Sequence, residues 1–112
     1  MDKKLEFTKH GLPLFDGQNY AFWSMRMKLF LHTQGVDVWQ AVLNDYNVPA
    51  TIPVDSVGKR LYENNSKAMY AILGGLAASE FVKVMHCASA KEIWDKLKNV
   101  YEGDTKVKSA KL

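Results

Sequence analysis

The sequence predicts an all-α domain, and three of its properties lead to that prediction. Apolar residues recur at spacings of three and four in most segments, which places them on one face of a helix instead of alternating along a strand. Helix breakers are few, with three prolines and seven glycines among 112 residues. A hydrophobic content of 47%, with five Phe, five Tyr and three Trp, gives the chain enough apolar surface for one core. We therefore expect one compact bundle of about five helices.

Residues 1–15 are predicted to form an extended arm, because their apolar positions are too isolated for an amphipathic helix. Such an arm packs in a groove of its own domain, packs on a neighbouring copy, or frays as a chain terminus. The pair Asp16-Gly17 then marks a turn, since glycine reaches positive φ and aspartate can hydrogen-bond its own backbone. The resulting division is an arm at 1–15, a helical domain at 16–103 and the start of a truncated further helix at 104–112.

The first helix is predicted at residues 20–34, with Asn19 able to cap its start and Gly35 in the position of a left-handed C-cap. A short second helix, at about 37–43, turns Trp39 towards the core. The residues of the first helix that face the core at helical spacing are Tyr20, Trp23, Met27, Phe30, Leu31 and Gln34.

A loop with two prolines at residues 44–53 precedes the third helix. This helix starts at Asp55 or Ser56 and ends at Gly74-Gly75, where a helix end or close helix packing explains the glycine pair better than a phosphate-binding loop. A polar run near its middle leaves open whether it is one helix or two. The apolar residues that follow one face are Val57, Leu61, Ala68, Ile72 and Leu76.

Ser79 is the predicted cap of a short fourth helix of one or two turns. A capping box then starts the fifth helix, since Ser89 can accept from the Glu92 amide while the Glu92 side chain reaches back to the Ser89 amide. Gly103 is the predicted end of this helix. Its apolar face consists of Ile93, Trp94, Leu97, Val100 and Tyr101.

The sequence carries no recognisable reaction chemistry. His86 stands beside Cys87, but a catalytic pair is normally assembled from distant segments, and the three histidines are scattered without metal-ligand spacing. Nucleophile elbows, Walker loops and dinucleotide fingerprints are absent. We therefore expect a protein that is not an enzyme, with no catalytic, metal-binding or cofactor-binding residues and no small-molecule substrate.

The charge and the cysteine content bear on the expected binding partners and cellular compartment. The net charge of +3 comes from 15 Lys and Arg against 12 Asp and Glu, interleaved along the chain, so it permits nucleic-acid binding without indicating it. A single cysteine excludes an intramolecular disulfide and favours a reducing compartment, for which the cytoplasm is the default. No apolar run approaches the roughly 20 residues that span a bilayer, so no membrane partner is expected.

Five blocks of the sequence, taken in order, cover nearly the whole chain. They are Leu14–Tyr20 with Trp23 and Met27, Gly35–Trp39, Ala68–Leu76, Ala90–Leu97 and Tyr101–Lys108. Together these blocks resemble the gag polypeptides of plant copia-type LTR retrotransposons. The resemblance implies a helical domain similar to the N-terminal lobe of retroviral-type capsids, a non-enzymatic structural part that self-associates into a virus-like particle around RNA.

Gag proteins of this kind continue into a second helical lobe and usually into a CCHC zinc knuckle that binds RNA, and neither lies within these 112 residues. An excised fragment, a degenerate copy and a host-adopted gag are three origins that the sequence leaves open. Besides self-association, two alternatives stand. One is a host-adopted domain that binds a peptide or protein partner in the groove its arm would otherwise fill, and the other is weak, non-specific RNA binding.

Three sets of residues are assigned to these roles. The predicted core consists of Trp23, Met27, Phe30, Leu31, Trp39, Ile72, Trp94, Leu97 and Tyr101. The predicted contacts with a second copy, in the arm and the last short helix, are Phe7, Leu12, Leu14, Phe15, Val107 and Leu112. The lysines that could contact nucleic acid are Lys96, Lys98, Lys106, Lys108 and Lys111. Because acidic residues are mixed among them, solvent-exposed lysines without a nucleic-acid partner are the favoured interpretation.

Overall fold

The computed structural model describes the backbone of residues 7–111 and the side chains of residues 7–102. The helices within that range are α1 (Tyr20–Gln34), α2 (Val36–Leu43), α3 (Ser56–Gly74), α4 (Ala78–Val84) and α5 (Ala90–Lys111). Helix α2 packs against α1, α3 and α5, and α5 also packs against α3 and α4. The β structure of this part of the chain is limited to two isolated bridges. The predicted all-α bundle of about five helices is thereby confirmed.

The N-terminal segment from residue 7 onwards folds back on the bundle. The Thr8 N–H donates to the Leu12 carbonyl at 2.8 Å, which closes a tight loop. The Phe15 N–H then donates to the Gly75 carbonyl at 2.7 Å, and the Ala77 N–H donates to the Phe15 carbonyl at 2.9 Å. The described part of the predicted arm therefore packs on its own domain, while the rest of the arm lies outside the described residues.

Gly75 permits this close approach. A Cβ atom at this position would overlap the Pro13 carbonyl oxygen and lie 3.0 Å from Cε of Met27. The same Pro13 carbonyl accepts a hydrogen bond of 3.1 Å from Nε1 of Trp23. The N-terminal segment is thus held between the end of α3 and the buried side of α1. The glycine pair serves both purposes expected of it, a helix end and a close packing contact.

Phe15 lies at the centre of the core, with no exposed surface. Its ring stacks on Trp23 at a centroid distance of 4.9 Å and meets the ring of Tyr101 edge-on at 5.0 Å. Trp94 continues the cluster, 5.7 Å from Trp23 and edge-on to Trp39 at 5.5 Å. Stacked and edge-to-face pairs are the arrangements that ring quadrupoles favour. One aromatic cluster therefore joins the N-terminal segment to α1, α2 and α5.

The nine residues predicted for the core all lie in it or against it. Gln34, which was assigned to the same face of α1, is exposed instead, because α1 ends there and Gly35 turns the chain away. Three of the nine are partly buried and pack against the others, namely Phe30, Trp94 and Tyr101. The buried ones are Trp23, Met27, Leu31, Trp39, Ile72 and Leu97.

The predicted ends of α1 are correct in position, but their cap geometry differs. Asn19 adopts a left-handed backbone, with φ 55° and ψ 53°, and its side chain makes no cap hydrogen bond. Gly35 has φ 142° and ψ 138°, which lies outside the left-handed helical region. Its N–H donates to the His32 carbonyl at 3.1 Å and its carbonyl accepts from the Val38 N–H at 3.0 Å. One residue both ends α1 and starts α2, which explains why it does not adopt the predicted C-cap conformation.

The third helix is a single piece. Asp55 caps it by accepting from the Gly58 N–H at 2.7 Å. Asn65, in the polar run that left the continuity of the helix open, is 3% exposed and accepts from the Ala90 N–H at 2.9 Å. This polar side chain is therefore buried because it satisfies a backbone donor at the start of α5.

The start of α5 follows the predicted capping box in part. The Glu92 N–H donates to Oγ of Ser89 at 3.2 Å, as predicted, whereas the Glu92 carboxylate accepts from the Ala88 N–H at 2.9 Å. The predicted Ser79 cap of α4 is wrong. The N-cap is Ala77, two residues before Ser79, and no side chain caps the helix.

The fifth helix continues through Gly103 to Lys111, where the sequence predicts an end and a separate helix from 104. A glycine inside a helix costs only about 1 kcal/mol relative to alanine, which a long helix with an unbroken hydrogen-bond ladder tolerates. Within the described residues, no helix combines the length and apolar character needed to cross a membrane.

Candidate interaction surfaces

The side of α1 that faces away from the core is also apolar. Phe22, Met25 and Leu29 are 56%, 59% and 56% exposed, and their spacing of three and four places them on one side of the helix. The guanidinium of Arg26 lies 4.2 Å from the ring centroid of Phe22 and 5.1 Å from that of Phe7. We call Phe22, Met25, Arg26 and Leu29 the α1 outer face. The sequence prediction missed the α1 outer face because it assigned only one apolar face to this helix. Apolar residues in fact recur at spacings of three and four on both its buried and its exposed side.

A groove of about 510 Å³ opens between α2 and α3. Val57 and Leu61 are 69% and 51% exposed there, although they continue the face of α3 that is buried further along the helix at Ala68 and Ile72. The apolar face of α3 is therefore covered over only half its length. We call this surface the α2–α3 groove, with its apolar wall at Ala41, Tyr46, Val57 and Leu61 and with Asp37, Asp45 and Arg60 also lining it.

The residues predicted to contact a second copy fall into three groups. Leu12 and Phe15 are buried in the core of their own chain, and Leu14 is half-buried. Phe7 is 48% exposed and lies beside Arg26, next to the α1 outer face. The side chains of the last two predicted contact residues, Val107 and Leu112, lie outside the described residues.

Two of the predicted nucleic-acid contacts, Lys96 and Lys98, are exposed on α5. Lys98 and Lys28 line a hollow of about 330 Å³ together with Trp39, Trp94 and Glu102. The hollow therefore combines two cations and two aromatic rings with a carboxylate. The side chains of the remaining three, Lys106, Lys108 and Lys111, lie outside the described residues.

A buried carboxylate joins α4 to α5. Glu80 is 4% exposed, accepts from Nζ of Lys83 at 3.2 Å and also accepts from the Tyr101 hydroxyl. Lys83 in turn donates to the Tyr101 oxygen at 2.9 Å. The pKa of Lys83 is raised, chiefly by its hydrogen bond with Tyr101 and next by that with Glu80. The pKa of Tyr101 is raised chiefly by burial. Because these groups satisfy one another, we interpret the trio as a structural link between helices.

Cys87 follows His86 directly in the sequence and lies at the edge of the core. The thiol is half-buried against the core, and this burial raises its pKa, which favours the protonated and less nucleophilic form. Among the described side chains, no three His, Cys, Asp or Glu residues are gathered where they could hold a metal ion.

The fold and its surfaces define a class of protein, a small helical domain with a closed aromatic core and two apolar surfaces that its described residues leave uncovered. The particular family follows from comparison with known sequences. The gag polypeptide of LTR copia-type matches residues 25–112, and the chain belongs to this family. Comparison with curated proteins and with solved structures finds no significant match. The resemblance to copia-type gag polypeptides is thereby confirmed.

Proposed function

We propose that this chain is a non-enzymatic structural domain that acts by self-association as a building block of a retrotransposon particle. Membership of the gag family supports the structural class. The observation that carries the proposal is the α1 outer face, where three large apolar side chains are each more than half exposed. The core of the domain is complete without them, so their contribution to folding is small. Contact with another protein surface would remove them from water.

The structure shifts the proposed contact away from the residues that the sequence indicates. Leu12 and Phe15 are committed to the core of their own chain, so they are not available to a neighbour in this conformation. Phe7 stays exposed and extends the α1 outer face through Arg26. We therefore assign the contact to this face and its surroundings.

A second copy fits the α1 outer face better than RNA does. Its exposed side chains are mainly apolar, whereas RNA affinity comes from several cations that neutralise phosphates together. The lysines on α5 have acidic neighbours, since Lys98 lines its hollow with Glu102, and Lys91 forms an ion pair with Asp95 at 2.5 Å. The proposed partner is therefore another copy of the chain.

Light scattering over a concentration series tests the proposal. The unaltered chain should exceed its single-chain mass of 12.7 kDa at high micromolar concentration and approach that mass on dilution. Leu29→Glu places a charge on the α1 outer face and should keep the chain monomeric. Gln34→Glu, at an exposed position of α1 off that face, should behave like the unaltered chain.

Recorded at a dilution where the unaltered chain has its single-chain mass, circular dichroism spectra and melting curves should be the same for all three proteins, because both substituted residues are exposed. A chain that stays monomeric at every concentration would contradict self-association. Equal weakening by Leu29→Glu and Gln34→Glu would show that association is present but that it does not use the α1 outer face.

A further inference from the structure

The two uncovered apolar surfaces complement each other, an inference that rests on the proposed self-association. We propose that the α1 outer face of one copy docks in the α2–α3 groove of a second copy. Within one chain the face and the groove are both open, and their most exposed large apolar side chains, Met25 and Val57, are 59% and 69% exposed. Neither surface covers the other in the same molecule, and docking between two copies would cover both.

The shapes of the two surfaces match. The α1 outer face is a helical ridge of three apolar side chains at spacings of three and four, which is how a helix presents itself to a groove. The groove has a volume of about 510 Å³, and α3 contributes Val57 and Leu61 to its wall, one helical turn apart. Ridges and grooves with this spacing are what helices use to pack together. Docking would therefore extend the helix packing of the core across the boundary between two copies.

The charges favour this pairing over a pairing of two α1 outer faces. Helix α1 contains no Asp or Glu and carries Arg26 and Lys28. Pairing two such faces would bring two α1 helices together, and neither helix would offer the other a carboxylate. The groove is lined by two carboxylates, Asp37 and Asp45, against one cation, Arg60, so its charge is net negative. Electrostatic complementarity of this kind selects the partner surface and its orientation.

Docking a face into a different surface has a consequence for the assembly. A two-fold contact uses the same patch on both copies and stops at a dimer, whereas a face-to-groove contact leaves one free face and one free groove after each step. Such contacts continue into rings or filaments. The proposal therefore predicts oligomers larger than dimers, which is what a particle shell requires.

A mixing experiment with two variants tests the arrangement. Leu29→Glu alters the face and leaves the groove intact, whereas Leu61→Glu alters the groove and leaves the face intact. Each variant alone should have the mass of a single chain by light scattering. An equimolar mixture should form a complex of twice the 12.7 kDa chain mass and no larger, because one intact face meets one intact groove.

The matched controls carry the same charge on the same helices, away from the two surfaces. Gln34→Glu on α1 and Ser66→Glu on α3 should each form large oligomers, as the unaltered chain does. The chain contains both surfaces in one molecule, so the unaltered protein serves as the reference throughout. Circular dichroism and a melting curve for each variant establish that it is folded.

The outcomes separate this inference from the proposed function. If the unaltered chain is monomeric, both fail. If it associates while Leu61→Glu alone still dimerises, the contact is between two like faces and the face-to-groove arrangement is wrong. If it associates while the mixture remains monomeric, the arrangement is equally wrong, although self-association stands.

Discussion

At the scale of single residues, Gly75 sets how closely the N-terminal segment approaches the bundle. Its backbone, with φ −94° and ψ 5°, is open to any residue, so the need for glycine is steric and not conformational. An added Cβ would overlap the backbone carbonyl of Pro13, and a backbone group yields less readily than the end of a side chain. The position thus couples the end of α3 to the segment that carries Phe15 into the core.

We expect Gly75→Ala to lower the free energy of unfolding by about 1–3 kcal/mol, the usual cost of overpacking. Urea denaturation measures the change. Gly74→Ala is the matched control, since its Cβ would meet only Cδ1 of Leu12, at 2.8 Å, and that atom ends a flexible side chain. An equal loss for the two variants would mean that the Pro13 contact is not the cause.

The residues that sequence reasoning placed correctly are those whose environment is set locally. Trp23, Met27 and Leu31 follow a helical spacing, and that spacing alone predicts which side of α1 is buried. Glu80 and Asn65 were missed because each has a partner that is distant in sequence, Tyr101 for Glu80 and Ala90 for Asn65. Asn65 bonds the Ala90 N–H 25 residues away, and such a pairing leaves no local pattern to recognise.

At the scale of elements, most helix bounds followed from caps and breakers. The exceptions are the start of α4, which lies before the predicted Ser79 cap, and the continuation of α5 through Gly103. Gly35 and Gly103 are both glycines after a helical pattern, yet one ends a helix and the other does not. After Gly35 the chain must turn so that α2 can pack against α1, whereas the pattern after Gly103 is itself helical. A glycine permits a helix end, but the residues that follow decide whether it occurs.

Gly103→Ala tests the continuity of α5. In a continuous helix, alanine removes the backbone entropy cost of glycine and should raise the free energy of unfolding by up to about 1 kcal/mol, with a slight gain in helical circular dichroism. If the helix ended at Gly103 with a left-handed residue, the same substitution would introduce strain and lower stability. The sign of the change therefore distinguishes a continuous α5 from the two-helix arrangement that the sequence predicts.

The surfaces at this scale were harder to predict than the helices. The face of α3 from Val57 to Ile72 is continuous in the sequence, and nothing in its spacing shows that only the second half is covered. Coverage depends on where α2 and α5 end relative to α3, which is a property of the assembled bundle. The same reason explains why the α1 outer face was missed.

At the scale of the whole molecule, the domain has a well-packed core and leaves several large apolar side chains exposed on its surface. The aromatic cluster around Phe15 fills the core with side chains of a single chain, and the N-terminal segment contributes Phe15 itself. The α1 outer face and the α2–α3 groove are apolar surfaces that folding leaves in water. The proposed self-association rests on the family membership and on these two surfaces.

Amide NMR spectra of the intact chain over a dilution series test this account most directly, because they report which residues change environment as copies associate. We predict concentration-dependent shifts at Phe22, Met25 and Leu29 and at Val57 and Leu61, with the amides of the core unchanged. Spectra that do not change with concentration would contradict self-association. Shifts confined to other surfaces, such as the exposed lysines of α5, would contradict the assignment of the contact to the α1 outer face and the α2–α3 groove.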